Sequence, residues 1–182
     1  MRVVRDFFFL VVLFVAATAS ASAHGAKTYA SPDKALRATV TSAGPEGRDA
    51  AESVVEIRGP RNELLLKKSF ASEDGEHGYA VVKAAWTPDS RFFVFSVESS
   101  GGHQPWHAPT FVYRRGDGRL LALDDVVGPI SSPAFTLKAP HTISTEKWAV
   151  AEQAGRRVTL NLGELSPADS RRKEAPGSGS SR

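Results

Sequence analysis

Displaced by 56 residues, the sequence matches itself without a gap: Ser31-Pro32-Asp33 falls on Thr87-Pro88-Asp89, Leu36 on Phe92, Ala38 on Val94, Arg58 on Arg114 and Leu64-Leu65 on Leu120-Leu121. A chain that repeats itself at such a spacing uses one supersecondary unit more than once, and the unit has to bury its apolar face against its own copy. Each copy reads as turn, strand, loop, hairpin, which places repeat-like halves at 31–86 and 87–142. Neither copy has a long 3.6-residue period, so the units are built from strands.

The strands follow from alternation, because successive side chains of a strand point to opposite faces. Leu36, Ala38 and Val40 alternate with Arg37 and Thr39, and Val55 and Ile57 with Glu56 and Arg58. Gly59-Pro60-Arg61-Asn62 then turns the chain into Leu64-Leu65-Leu66. Tyr79 to Trp86 and Phe92 to Phe95 flank the turn Thr87-Pro88-Asp89-Ser90, and the phenylalanine run, apolar on both faces, belongs at a sheet centre. Phe111-Val112-Tyr113, Arg115-Gly116-Asp117-Gly118 and Leu120 to Leu123 form the clearest hairpin. Val158, Leu160 and Leu162 alternate in the last strand, and 145–153 reads as a strand in preference to a short helix. The expected fold is all-β, two packed antiparallel sheets made from the two repeats, as a β-sandwich or a partial propeller.

The Ser-Pro-Asp turn before an apolar strand and the Gly-Asp-Gly hairpin after it resemble the blade repeats of TolB-like and WD40-like β-propellers. That resemblance covers about two repeats, too few to close a ring. The stretch Ser100-Gly101-Gly102-His103-Gln104-Pro105-Trp106-His107 also resembles a group of exported bacterial proteins, which implies a compartment and no activity.

Export is what the first residues spell. Arg2 and Arg5, an apolar run from Phe7 to Ala17, and Ala21-Ser22-Ala23 are the three parts of a secretory signal. The run is far shorter than the ~20 residues of a membrane anchor. Cleavage is expected after Ala23, with Ala21 as the alternative, leaving one domain at 24–165 and a periplasmic or secreted protein with no transmembrane anchor. The chain has no cysteine, which excludes disulfides, thiol chemistry and a lipoprotein anchor. Residues 24–165 carry 17 Lys or Arg against 17 Asp or Glu, so the basic excess sits in the Ser-, Gly- and Pro-rich tail 166–182, expected to be disordered. A neutral body and export together argue against nucleic acid as a partner.

Chemistry is most concentrated in the loop 99–109, between two strands, where function tends to be carried. Pro105 removes the helix on which the four-residue spacing of His103 and His107 would aim both at one metal. What stays open is a loop whose Trp106 packs on the core, or one that binds a small ligand, a sugar or a periplasmic protein through His103, Gln104, Trp106 and His107, with Tyr113 completing an aromatic wall. Asp124-Asp125, Glu73-Asp74 and His77 read as solvated turn residues.

If cleavage follows Ala23, His24 offers an amine and an imidazole, two nitrogen donors that suit copper. A mature His24-Gly25 terminus resembles copper-binding exported proteins and the lytic polysaccharide monooxygenases, and that resemblance implies His141, or a loop histidine, as the second ligand. No nucleophile elbow, phosphate loop or His-Glu-x-x-His is present. The reading that emerges is a non-catalytic exported binding domain using the 99–109 loop, with a copper protein as the alternative.

Overall fold

The structure, a computed structural model, describes residues 25–43, 52–102, 106–149 and 154–165. The signal segment, the tail after Leu165 and the residues His24, His103 and Gln104 lie outside that set.

The repeated turn is the same object twice. In the first copy Ser31 N–H donates to Leu36 O (2.9 Å), Leu36 N–H to Ser31 Oγ (2.9 Å), and Ser31 Oγ to Asp33 Oδ1 (2.6 Å). In the second, Thr87 N–H donates to Phe92 O (2.9 Å), Phe92 N–H to Thr87 Oγ1 (3.1 Å), and Thr87 Oγ1 to Asp89 Oδ1 (2.7 Å). Lys34 and Ser90, 56 apart, both take positive φ, at 60° and 62°. A short hydroxyl followed two residues on by a carboxylate closes this turn on its own side chains, which explains why the Ser/Thr-Pro-Asp signature marks it.

From these turns the chain lays down three antiparallel sheets. The first runs β1 (Lys27–Ala30), β2 (Arg37–Ser42), β3 (Ser53–Arg58), β4 (Leu64–Ser69) in that spatial order. The second repeats it with β5 (Tyr79–Trp86), β6 (Phe92–Ser99), β7 (Thr110–Arg114) and β8 (Arg119–Ala122). After the single-turn helix α1 (Asp124–Val127) comes a third sheet, β9 (Thr136–Lys138), β10 (Thr142–Ala149) and β11 (Ala154–Asn161), with β10 in the middle. A 3-10 turn, Leu162–Glu164, follows.

The all-β class of antiparallel sheets holds, and a third sheet is added to the two that the repeats form. β6 shows why. Phe93, Phe95 and Val97 are fully buried in one cluster with Leu36, Val55, Ile57, Trp86 and Tyr113, while Phe92 and Val94 are buried in another with Val112, Leu123, Ile130, Phe135 and Ile143. A strand apolar on both faces needs a sheet on each side, and the second comes from 130–165, which the 56-residue match covers only in part. Of the segment 145–153, read as strand, residues 145–149 belong to β10, and 150–153 lie outside the described residues. Gly155 lies inside β11 opposite Trp148.

The two ends of the stack are polar. On the first sheet Thr39 pairs across to Glu56 and Glu56 to Lys67, and Glu56 forms ion pairs with Arg58 (2.8 Å) and Lys67 (3.2 Å). On the third, Ser144 bonds Thr159 (2.7 Å) and Glu146 faces Arg157 (3.9 Å). Faces of this kind terminate a repeat array in water. Between layers, each turn's aspartate reaches into the next: Asp33 N–H donates to Ser90 Oγ (3.0 Å) and its carboxylate pairs with Arg115, while Asp89 Oδ2 lies 2.6 Å from His141 Nδ1. Hydrogen bonds from Ser31 and Arg115 hold the Asp33 carboxyl well below its usual range. At Asp89 burial pushes the carboxyl up, but bonds from Thr87, His141 and the Arg91 N–H outweigh it, and the net shift is downward.

Candidate binding site

The loop from Ser99 to Pro109 emerges where β6 ends and returns as β7. Its first arm is tied down by a buried carboxylate. Glu52, 2 % exposed, accepts from Ser72 N–H (2.8 Å), Ser72 Oγ (2.5 Å), Gly78 N–H (2.6 Å) and Ser100 Oγ (3.2 Å). One acid thus gathers the 70–78 loop and the start of the 99–109 loop at the same rim. The Ser72 hydroxyl, followed by these amide donors against the opposing effect of burial, holds its carboxyl below the usual range. Nothing in the sequence marks Glu52, because its partners are 20 to 48 residues away.

The second arm is braced by Asp124. Its Oδ1 lies 2.8 Å from His107 Nε2 and accepts from Ile130 N–H (3.0 Å), and its Oδ2 accepts from Thr110 N–H (3.0 Å). Ala108 N–H donates to Ile130 O (2.8 Å) and Val97 N–H to Pro109 O (2.9 Å), so the backbone that follows His107 is fixed. The Asp124 side chain is only 15 % exposed, which overturns the expectation that Asp124 is a solvated turn acid; Asp125 beside it is exposed.

On this base stands Trp106. It is 51 % exposed, among the few large apolar side chains left in water, and its ring stacks on the His107 imidazole with centroids 5.6 Å apart and planes 20° apart. The pair makes a flat, partly apolar platform with a polar edge, held from beneath by Asp124.

Tyr113 does not join it. The expected wall of Trp106 and Tyr113 is not formed, because Tyr113 is 1 % exposed, edge-on to Trp86 at 6.5 Å, in the cluster between the first and second sheets. The alternation of β7 sends Thr110 and Val112 to one face and Phe111 and Tyr113 to the other. Burial also raises the Tyr113 phenol above its ordinary value.

His141 lies elsewhere again, in the turn between β9 and β10. Its ring is 5.4 Å from that of Phe92, Nδ1 is engaged by Asp89, and Nε2 abuts Gly163, where an added Cβ would stand 2.6 Å away. Those contacts give it a place in the packing of the second sheet on the third. Among the described residues no three His, Asp or Glu converge as metal ligands. His77 pairs with Asp74 on the exposed 70–78 loop. No helix among the described residues is long and apolar enough to cross a membrane.

Neither a family model nor a curated protein matches the sequence. Among solved structures the chain is similar to a puromycin hydrolase mutant, at 12 % identity and a TM-score of 0.31, over 74 % of this chain and 26 % of that one. So low a score supports no statement about function.

Proposed function

We propose that this chain is an exported, non-catalytic binding domain that engages its ligand through the 99–109 loop, with Trp106 as the anchor. The observation that carries this reading is an indole left half in solvent on a loop whose base is fixed by a carboxylate. An aromatic that served packing would be turned inward, as Trp86 is at 8 % exposure. Holding Trp106 outward on a fixed base lowers the ordering cost of binding. The Trp106-His107 platform suits a ligand with a flat apolar face and a polar rim, of which a sugar ring is the simplest. The signal-like pattern of residues 1–23 supports an encounter outside the cytoplasm.

The test is a titration of the mature protein with a soluble hexasaccharide, following the three tryptophan indole N–H signals by NMR. Saturable movement of the Trp106 signal, abolished by Trp106→Ala in a folded protein, supports the reading. Binding that survives Trp106→Ala unchanged would count against it.

A further inference from the structure

The three sheets begin alike and end differently. In each, three consecutive strands pair antiparallel in chain order: β1-β2-β3, β5-β6-β7 and β9-β10-β11. Their first strands lie on one side of the stack. The Trp86 indole of β5 donates to Tyr29 O of β1 (2.9 Å), and the Lys83 ammonium of β5 lies 4.9 Å from the ring of Phe135, just before β9. On the other side β3 and β7 each take a fourth strand, β4 and β8. Their counterpart β11 pairs with β10 alone among the described residues. Burial records the difference: β3 and β7 have no exposed side chain, whereas six of the eight in β11 are exposed.

The chain itself turns away from the vacant side. Where Gly59-Pro60-Arg61-Asn62 and Arg115-Gly116-Asp117-Gly118 lead β3 and β7 into their fourth strands, Asn161 Oδ1 accepts Gly163 N–H (3.0 Å) and a 3-10 turn follows. Leu165 is then buried, with its carbonyl held by Arg114 Nη1 (3.1 Å). Residues 166–182 hold no β-branched, aromatic or leucine side chain, carry Pro167 and Pro176, and are basic. Such a sequence is a poor strand.

A strand edge directs alternate N–H and C=O groups outward, ready to pair with another chain. Its side chains decide which chain fits. Arg156 and Arg157 put one cation on each face of β11, across from Lys147 and Glu146 of β10. Val158 and Leu160, half-buried, share the face of Arg156, and Leu160 packs on the cluster between the second and third sheets.

We propose that β11 docks an extended acidic segment of another protein, which completes the third sheet as an antiparallel fourth strand. Residues directly opposite across two strands interact. The fitting segment therefore reads apolar, polar, apolar, acidic, acidic, facing Leu160, Thr159, Val158, Arg157 and Arg156 in turn. A second β11 fits less well, because it brings two more arginines to the seam.

The experiment follows hydrogen exchange of the β11 amides by NMR in the mature protein, alone and with the end-blocked peptide Ser-Val-Thr-Val-Glu-Glu-Ser. The outward amides should exchange rapidly in the free protein at every protein concentration, and be slowed at least tenfold by saturating peptide. N-methylation at one of the two alternating sets of peptide residues should abolish the effect. Arg156→Glu combined with Arg157→Glu should transfer it to Ser-Val-Thr-Val-Lys-Lys-Ser. Trp106→Ala should respond as the parent does, which separates this edge from the loop. The proposal is overturned if the peptide leaves exchange unchanged at millimolar concentration, or if both N-methylated sets act as the parent peptide does. It is equally overturned by outward amides already protected in the free protein: protection independent of concentration means that the chain fills the edge itself, and protection rising with concentration means that a second copy does.

Discussion

Asp124 Oδ1 lies 2.8 Å from His107 Nε2, and the same carboxylate accepts the backbone N–H groups of Thr110 and Ile130. A single acid therefore ties together the end of the loop, the start of β7 and the backbone at Ile130. Asp124→Ala leaves the two amides without their acceptor, which costs about 1–3 kcal/mol for a buried donor. The expected outcome in urea unfolding is a loss in that range, with acrylamide quenching and anisotropy showing a more mobile Trp106. A variant as stable as the parent, with Trp106 unchanged, would show that the brace is dispensable.

Gly78 is packed where no side chain fits. A Cβ there would meet Phe70 O at 2.2 Å and the Glu52 carboxylate at 2.5 Å. Backbone and a carboxylate already bonded to four donors have no room to yield, so Gly78→Ala should be destabilising by more than the ~0.5 kcal/mol typical of surface changes. Thermal melting measures this, and slower or unchanged proteolysis of the 70–78 loop in the variant would contradict it.

Acid sensitivity follows from the carboxylates that lace the layers. Asp33, Glu52, Glu56 and Asp89 all have folded-state values below their ordinary ones. A group depressed on folding contributes stability that is full above its unfolded value, here 3.8 for Asp and 4.5 for Glu, and is lost as pH falls through the folded value. The melting temperature should hold from pH 7 to about 5 and drop steeply below ~4. Asp89→Asn, which keeps the shape and removes the titration, should make that drop shallower; an unchanged acid limb would exclude Asp89 from it.

Much of this architecture is legible in the residues. The Phe92–Phe95 run announces a strand buried on both faces, and the Ser/Thr-Pro-Asp turns announce a repeated unit, because both signals are local. The third sheet is obscured for a physical reason. β9 has three residues, too few to show a period, and β11, though legible as a strand from Val158 and Leu160, is an edge strand that exposes most of its side chains, so neither signals a sheet of its own. Tyr113 illustrates the complementary difficulty: alternation gives the face of a strand on which a residue lies, not what covers that face. Glu52 and Asp124 acquire their roles from donors distant in sequence, whereas a solvated turn acid looks identical on the page.

The central claim, that Trp106 is held outward for a ligand and not for the core, is tested most directly by denaturant unfolding of Trp106→Ala beside Trp86→Ala. Trp86 is buried against Phe93 and Tyr113, and its indole N–H donates to Tyr29 O at 2.9 Å, so its removal should cost about 3–5 kcal/mol. Trp106→Ala should stay within ~0.5 kcal/mol of the parent. A loss at Trp106 comparable with that at Trp86 would make it a packing residue and contradict the account.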